Sequence, residues 1–169
     1  MLTLDLNRLA RVGKMPIQGS VSTDPEFWGG TGIGLAGDLV LDAEAQWLAG
    51  EEVLLVGRAR GTQSGECRRC LEGVERPVDV PLSLYYVPAD QGELDAADVR
   101  TYDPATADLK LGDDLREEII LALDSYMECR PDCKGLCPRC GADLNETECA
   151  CVPETGDARW DALRALTAE

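Results

Sequence analysis

Eight cysteines and the complete absence of histidine constrain this 169-residue chain more than any other feature. The cysteines fall into four close pairs, which are Cys67 with Cys70, Cys129 with Cys133, Cys137 with Cys140, and Cys149 with Cys151. Without an imidazole group, the chain can build neither a His-based catalytic triad nor a mixed Cys/His metal site. Any metal must therefore be held by thiolates or carboxylates.

The two C-x2-C pairs have the spacing of a zinc knuckle. A two-residue spacer turns the chain tightly enough to aim both sulfurs at one ion, while backbone N–H groups in the turn donate to the thiolates. In the downstream pair, Pro138 fixes the backbone after the first ligand and Gly141 permits a positive φ behind the second. Closed four-thiolate sites leave no position for water, so zinc held in this way stabilises the fold and performs no chemistry.

Eight cysteines would fill two tetrahedral sites, and we predict two structural zinc ions. The predicted ligands are Cys67, Cys70, Cys129, Cys133, Cys137, Cys140, Cys149 and Cys151. The sequence leaves open which cysteines share each ion. Because Cys67 and Cys70 cannot complete four ligands alone, we favour a site shared between the two cysteine blocks.

Three other uses of the cysteines stay open. Disulfides suit exported scaffolds, but the N-terminus, MLTLDLNRLARVGK, lacks the order of charges and apolar residues of a signal peptide, and we expect a cytoplasmic protein. An iron–sulfur cluster suits thiolate-only ligation, although the cysteine spacings of ferredoxins are absent. A redox dithiol at Cys67 and Cys70 is expected where a strand meets a helix, whereas this pair falls between two predicted strands.

The charge balance restricts the partners of the protein. Its 32 acidic and 16 basic residues give a formal net charge of -16, which disfavours nonspecific RNA binding by the chain as a whole. A basic protein partner or a local basic patch remains compatible with this charge. The basic residues near the cysteines either offset thiolate charge or contact RNA or a partner, and they are Arg58, Arg60, Arg68, Arg69, Arg130, Lys134 and Arg139.

Apolar periodicity predicts an α+β fold, an antiparallel β-sheet meander covered by a helix. Successive strands are indicated from Gly37 to about Val87, with a turn at residues 49–51. Residues 88–108 are acidic and predict a flexible loop. A helix follows, for which Asp113 or Asp114 would be the cap. Its predicted apolar stripe consists of Leu115, Ile119, Leu123 and Tyr126.

We expect two parts packed as one compact unit. Residues 1–126 would form the sheet and helix, and residues 127–169 a cysteine-rich zinc-binding module that ends in a short helix. Helical spacing of Trp160, Leu163 and Leu166 predicts that helix. No apolar run approaches the length of a membrane span, so we expect no membrane contact.

The chain resembles the YceD family, also called the large ribosomal RNA subunit accumulation proteins, over roughly residues 36–166. The resemblance is carried by ECRRCLEGVERPV, by DLREEIILALDSYMECRPDCKGLCPRCGADLNETECAC after an acidic loop, and by a terminal DARWDALRAL. The family's first C-x2-C matches Cys67 and Cys70. Its downstream signature matches Cys133, Cys137, Cys140, Cys149 and Cys151, with Leu144 and Asn145 as a Leu-Asn pair. The resemblance implies a bacterial cytoplasmic protein, with plastid relatives, that is needed for normal accumulation of the large-subunit ribosomal RNA.

We therefore expect a non-enzymatic factor that acts on the large-subunit rRNA precursor or on a ribosomal protein, with no small-molecule substrate. One alternative is a generic adaptor that binds other proteins through the sheet edge or the terminal helix. Another is an enzyme, either a dithiol oxidoreductase or a hydrolase. The carboxylates lie in solvated runs such as GELDAAD, without the paired spacing that general acid/base chemistry requires, which disfavours a hydrolase.

Overall fold

The computed structural model describes residues 2–22, 24–91 and 99–151. The strands in these ranges are β1 Thr3–Asp5, β2 Lys14–Val21, β3 Gly34–Leu35, β4 Leu39–Trp47, β5 Val53–Glu66, β6 Gly73–Pro88, β7 Val99–Tyr102 and β8 Asp108–Lys110. The α-helices are α1 Leu6–Val12, α2 Pro25–Trp28 and α3 Gly112–Ala122, and a 3-10 turn spans Ala89–Gln91. The α+β class is thus confirmed, while the predicted helix around Trp160, Leu163 and Leu166 lies outside the described residues.

A six-stranded sheet forms the body of the fold. Strands β2, β4, β5, β6 and β7 are hydrogen-bonded neighbours in that order, β3 pairs with β5, and β1 and β8 form a separate two-stranded sheet. The turn predicted at residues 49–51 joins β4 to β5, where Gly50 and Glu51 have φ values of 80° and 64°. Strands β5 and β6 stay in antiparallel register from Val53 opposite Tyr86 to Glu66 opposite Gly73. This hairpin carries the first C-x2-C pair at its far end.

One face of the sheet is buried, as the alternation predicts. In β6, Val80, Leu82, Leu84 and Tyr86 are buried, while the intervening Pro81 and Ser83 are exposed. The buried side chains of α1 and α3 belong to the same hydrophobic cluster as those of the sheet. Apolar area removed from water by these side chains supplies the main favourable term for folding the sheet.

The structure departs from the sequence predictions at one strand, while residues 92–98 of the predicted loop lie outside the described residues. Strand β7 lies inside the predicted loop and pairs with β6 in parallel, so the sheet is not wholly antiparallel. Arg100 accounts for this strand, because its guanidinium bonds Asp114 at 3.1 Å and Glu118 at 2.9 Å on α3. The partners of Arg100 lie 14 and 18 residues downstream, so the composition around residue 100 does not indicate these contacts.

The predicted capping of α3 is also wrong. Leu111 occupies the N-cap position without a side-chain cap, and Asp113 and Asp114 lie in the first turn. Asp114 instead accepts a hydrogen bond from the Tyr86 hydroxyl at 2.7 Å, which ties the helix to β6. Of the predicted stripe, Leu115, Ile119 and Leu123 are buried, whereas Tyr126 is 69% exposed.

A second, smaller cluster of buried side chains surrounds the first cysteines and includes Cys67, Cys70 and Cys133, with Val74 and Leu136 packed against it. The division of the chain at residue 126 stays a prediction. No helix among the described residues is both long and apolar enough to cross a membrane.

Candidate metal centres

The eight cysteines form two groups of four. We call Cys67, Cys70, Cys129 and Cys133 the first centre, and Cys137, Cys140, Cys149 and Cys151 the second centre. Within each centre the four Sγ atoms lie within 4.8 Å of one another. The first centre takes two ligands from each cysteine block, so the shared arrangement favoured from the sequence is the one found.

The sulfur spacing fits one tetrahedral ion per centre. Four ligands at a Zn–S distance of about 2.3 Å lie about 3.8 Å apart. In the first centre, the Sγ atoms of Cys67 and Cys133 are 3.9 Å apart, and those of Cys70 and Cys129 are 3.6 Å apart. In the second centre, Cys149 Sγ lies 3.5 Å from that of Cys140 and 3.3 Å from that of Cys137. All eight cysteines are free thiols.

Two turns of nearly identical backbone present the C-x2-C pairs. In residues 67–72, the first knuckle, Cys67 N–H donates to Glu72 O at 2.8 Å and Leu71 N–H to Cys67 O at 2.9 Å. In residues 137–142, the second knuckle, the equivalent bonds run from Cys137 to Ala142 at 2.8 Å and from Gly141 to Cys137 at 2.9 Å. The residue behind the second ligand has a positive φ in both, 63° at Leu71 and 72° at Gly141.

Backbone N–H groups stabilise a thiolate at the first cysteine of each knuckle. The N–H of Cys129 contributes most to lowering the pKa of the Cys67 thiol, followed by those of Cys70 and Arg69. The N–H groups of Cys140 and Arg139 likewise lower the pKa of the Cys137 thiol. In contrast, burial is the main cause that raises the pKa of Cys129. Since a metal takes thiolates, the two knuckles are partly prepared for an ion before it binds.

The first centre joins the end of the hairpin to the chain after α3. Arg68 N–H donates to Met127 O at 2.9 Å, and Leu136 N–H donates to Arg69 O at 2.9 Å. Gly135 permits this contact, because it has a φ of 75° and a Cβ there would lie 2.9 Å from the Arg69 carbonyl oxygen. The backbone therefore holds residues 127–136 against the first knuckle.

Side chains of β5 and β6 also reach the chain between the end of α3 and Cys129. The buried Gln63 amide donates to Asp124 O at 2.7 Å. Arg76 donates to Glu128 O at 2.9 Å, and Glu128 directly precedes Cys129 of the first centre. These bonds fix the direction in which the chain leaves α3, so that Cys129 and Cys133 reach the hairpin.

Asn145 connects the two centres. Its Oδ1 accepts a hydrogen bond from Lys134 N–H at 2.8 Å, and its Nδ2 lies 3.5 Å from Cys133 Sγ, within reach as a donor to that sulfur. Leu144 N–H donates to Gly135 O at 2.9 Å. The sequence singles out the Leu-Asn pair as part of a family signature, but assigns it no role, because the contact with Cys133 depends on how the chain folds back.

The centres differ in their exposure to solvent. In the first, Cys67 is 0% and Cys133 1% exposed. In the second, Cys137 is buried, but Cys140 and Cys151 are exposed. All four ligands of the second centre come from one short segment, whereas those of the first come from segments about 60 residues apart. An ion in the first centre would therefore cross-link the fold, whereas an ion in the second would close a local loop.

The seven basic residues singled out in the sequence occupy two places. Arg58 and Arg60 both pair with Asp79, at 2.6 and 3.3 Å. Because Arg60 precedes Cys67 by seven residues along an extended strand, it lies roughly 20 Å from the first knuckle. The other five flank the centres, and they are Arg68, Arg69, Arg130, Lys134 and Arg139.

Among those five, some arginines have carboxylate partners. Arg68 bonds Glu128 through Nε at 2.8 Å, and Arg130 lies 3.6 Å from Asp132. Such exposed pairs contribute little to stability, about 0–1 kcal/mol each. They do reduce the positive charge that Arg68 and Arg130 present to a partner.

The chain is similar to one family model and to several curated proteins. A family model described as "Large ribosomal RNA subunit accumulation protein YceD" matches residues 55–167. Uncharacterized proteins of Mycobacterium bovis and Mycobacterium tuberculosis are 34% identical to this chain over 123 residues, covering 67% of the chain and 55% of each relative. The chain thus spans about half the length of these curated relatives.

A plant relative carries a functional name. A Zea mays protein named large ribosomal RNA subunit accumulation protein YCED homolog 1, chloroplastic, is 36% identical over 62 residues, which is 36% of this chain and 21% of the plant protein. No solved structure gave a significant match. Because the family model covers more than half of the chain and includes both centres, the chain belongs to the YceD family.

Proposed function

We propose that this protein is a non-enzymatic factor for accumulation of the large-subunit ribosomal RNA, and that a structural zinc ion binds at each centre. The observation that carries the proposal is the match of residues 55–167 to a family described by this role, a range that contains every ligand of both centres. The protein acts in the cytoplasm by contact with the rRNA precursor or with a ribosomal protein.

Zinc is the metal that suits these centres best. Thiolate-only tetrahedral sites select zinc or iron, and sulfurs within 4.8 Å of one another leave room for one ion between them. Four protein ligands leave no open coordination position, so the ions stabilise the surrounding chain and activate no water. This closed coordination supports a non-enzymatic role for the two proposed zinc ions.

A dithiol oxidoreductase is the enzymatic alternative, and thiol reactivity distinguishes it. A redox pair needs an accessible thiolate, whereas Cys67 is completely buried among three other sulfurs. We expect the cysteines of the purified protein to resist iodoacetamide until a chelator removes the metal. Rapid alkylation of Cys67 or Cys70 with the metal still bound would favour the redox enzyme.

Depletion in the native host tests the role in rRNA accumulation. We expect loss of the protein to lower the ratio of large-subunit to small-subunit rRNA and to reduce free large subunits in a sucrose gradient. Re-expression of the wild-type protein should restore both, and an unchanged rRNA ratio and gradient profile after depletion would refute the proposal.

A pull-down separates this role from that of a generic adaptor. Recovery of large-subunit precursor RNA or ribosomal proteins is expected, since the proposed contacts are with these components. If the tagged protein instead recovers a reproducible set of proteins unrelated to the ribosome, the adaptor function is favoured.

A further inference from the structure

The sulfurs of the two centres differ in their access to solvent. In the first centre, Cys67, Cys70 and Cys133 are each at most 7% exposed. In the second centre, Cys149 is partly buried and Cys140 is exposed. Because the oxidation of a thiolate depends on its exposure, a small oxidant reaches Cys140 more readily than the buried sulfurs of the first centre.

Open space adjoins Cys140 along the chain. The next residue, Gly141, has a φ of 72°, and a Cβ added there would have no atom within 4 Å. Arg139, on the other side, is exposed. The turn around Cys140 therefore leaves room for a molecule the size of hydrogen peroxide to approach its sulfur. Since that molecule is uncharged, the net charge of -16 does not repel it.

Cys149 lies within reach of an oxidised Cys140. Their Sγ atoms are 3.5 Å apart. A disulfide bond is about 2.05 Å long, so the two sulfurs would need to approach each other by roughly 1.5 Å. The chain between them is a short loop, in which Thr147 N–H donates to Asp143 O at 2.9 Å. The movement therefore involves one segment and leaves the sheet in place.

Sulfur spacing alone does not single out the second centre. In the first centre, the Sγ atoms of Cys70 and Cys129 are 3.6 Å apart, close to the distance between Cys140 and Cys149. The first centre differs because three of its four ligands are buried. Its ligands also come from the hairpin and from the chain after α3, which backbone hydrogen bonds hold together. Burial and this attachment favour oxidation at the second centre.

We propose that Cys140 is an oxidation site for hydrogen peroxide and that Cys149 completes the reaction. The Cys140 thiolate attacks one peroxide oxygen and the O–O bond breaks, which gives a sulfenic acid and a hydroxide that takes a proton to become water. The Cys149 thiolate then attacks the Cys140 sulfur and the S–O bond breaks, so that the leaving hydroxide becomes a second water. The two sulfurs lose two electrons in total, and the peroxide gains them.

Disulfide formation would remove two of the four ligands of the second centre. Cys137 and Cys151 would remain, and the centre would release its ion because the metal is held by thiolates. A dithiol reduces the disulfide and restores the ligands, so the change is reversible. The inference goes beyond the proposed function and rests on the proposed zinc ion at the second centre.

This oxidation is compatible with the expected resistance of the cysteines to iodoacetamide. Hydrogen peroxide is the smaller molecule and reaches a sulfur that is bound to zinc more easily. Disulfide formation also withdraws two ligands from the ion together, whereas alkylation modifies one thiolate at a time.

Zinc release distinguishes the two centres in the wild-type protein. The full-length, zinc-loaded chain is treated with excess hydrogen peroxide, and a chromophoric chelator reports the released zinc, corrected by a sample without peroxide. We expect the first zinc ion to leave roughly tenfold faster than the second, because the exposed thiolate reacts first. Peptide mapping without reduction should find a disulfide between Cys140 and Cys149. Dithiothreitol and zinc, added after removal of the peroxide and the chelator, should restore the original metal content.

One substitution should separate zinc binding from oxidation. An imidazole nitrogen can replace a thiolate as a zinc ligand, so Cys140→His keeps four ligands and lacks the exposed sulfur. We expect this variant to bind both zinc ions and to release zinc from the second centre roughly tenfold more slowly than the wild type. Cys70→His, at the equivalent position of the first knuckle, is the matched control. Peroxide should release zinc from its second centre at the wild-type rate.

Three results would overturn the inference. These are equal rates of zinc release from the two centres, a disulfide map in which Cys140 and Cys149 are not joined, and wild-type zinc release by Cys140→His with both ions bound. The disulfide map needs no metal, so it decides the inference even if this variant binds zinc poorly. If the wild-type protein holds two zinc ions before oxidation and one of these results follows, the inference fails and the proposed zinc sites stand. A metal-free wild-type protein would refute the zinc sites instead.

Discussion

At the scale of single residues, Asn145 shows how one side chain can link the two cysteine centres. Its amide accepts from Lys134 N–H and reaches Cys133 Sγ of the first centre, while its own backbone lies in the loop of the second. Hydrogen bonds to a ligating sulfur orient it and stabilise its thiolate. The sequence identifies Asn145 as part of a family signature, but its hydrogen-bond partners can be assigned only from the folded structure.

Asn145→Ala removes both of these bonds. We expect the free energy of unfolding to fall by about 1–2 kcal/mol, since a part-buried hydrogen bond to Cys133 Sγ is lost and the Lys134 N–H is left to water. The zinc affinity of the first centre should also fall by about 10- to 100-fold, so that a competing chelator removes zinc from it at lower concentration. Asn7→Ala, at an exposed site on α1, is the control, and equal zinc transfer in both variants would contradict the coupling.

Gly135 is a second residue whose role is local and steric. Gly135→Ala should lower stability by about 1–3 kcal/mol, because alanine is strained at positive φ and its Cβ meets the Arg69 carbonyl oxygen. Gly141→Ala is matched to it, since Gly141 has a similar φ with no atom within 4 Å of an added Cβ. Chemical denaturation should find Gly135→Ala the less stable of the two, and equal losses would mean that the close approach is unimportant.

At the scale of elements, the hairpin of β5 and β6 and the two knuckles were predictable, whereas β7 was not. Alternation along β6 and the C-x2-C spacing are local patterns, and each is visible within a few residues. Arg100 of β7 pairs with carboxylates on α3. This contact joins two separate elements, so the acidic composition around residue 100 does not indicate a strand there. The positive φ behind a knuckle was predicted at Gly141 and missed at Leu71, where leucine gives no such signal.

Removal of one ligand should increase hydrogen exchange in different regions for the two centres. Cys140→Ser should release one zinc and increase hydrogen exchange mainly within residues 137–151, because the second centre is local. Cys70→Ser should also release one zinc, but increase exchange at both the end of the hairpin and residues 127–136, because the first centre joins them. Mass spectrometry of deuterated peptides measures both patterns, and identical patterns would show that the centres act as one.

At the scale of the whole molecule, a buried sheet core and a cysteine-based cluster stabilise separate regions. The main cluster draws on the sheet, α1 and α3, while the second cluster consists largely of cysteines that we propose as zinc ligands. The α+β class and the family followed from the sequence. The grouping of the cysteines required the fold, because Cys67 and Cys129 are neighbours only through the path of the chain after α3.

Metal content tests the central claim most directly. Elemental analysis combined with native mass spectrometry of the purified protein should find two zinc ions per chain, one in Cys70→Ser and one in Cys140→Ser. Bound iron in place of zinc, or a metal-free wild-type protein that remains folded through residues 127–151, would contradict the assignment of the two centres as structural zinc sites.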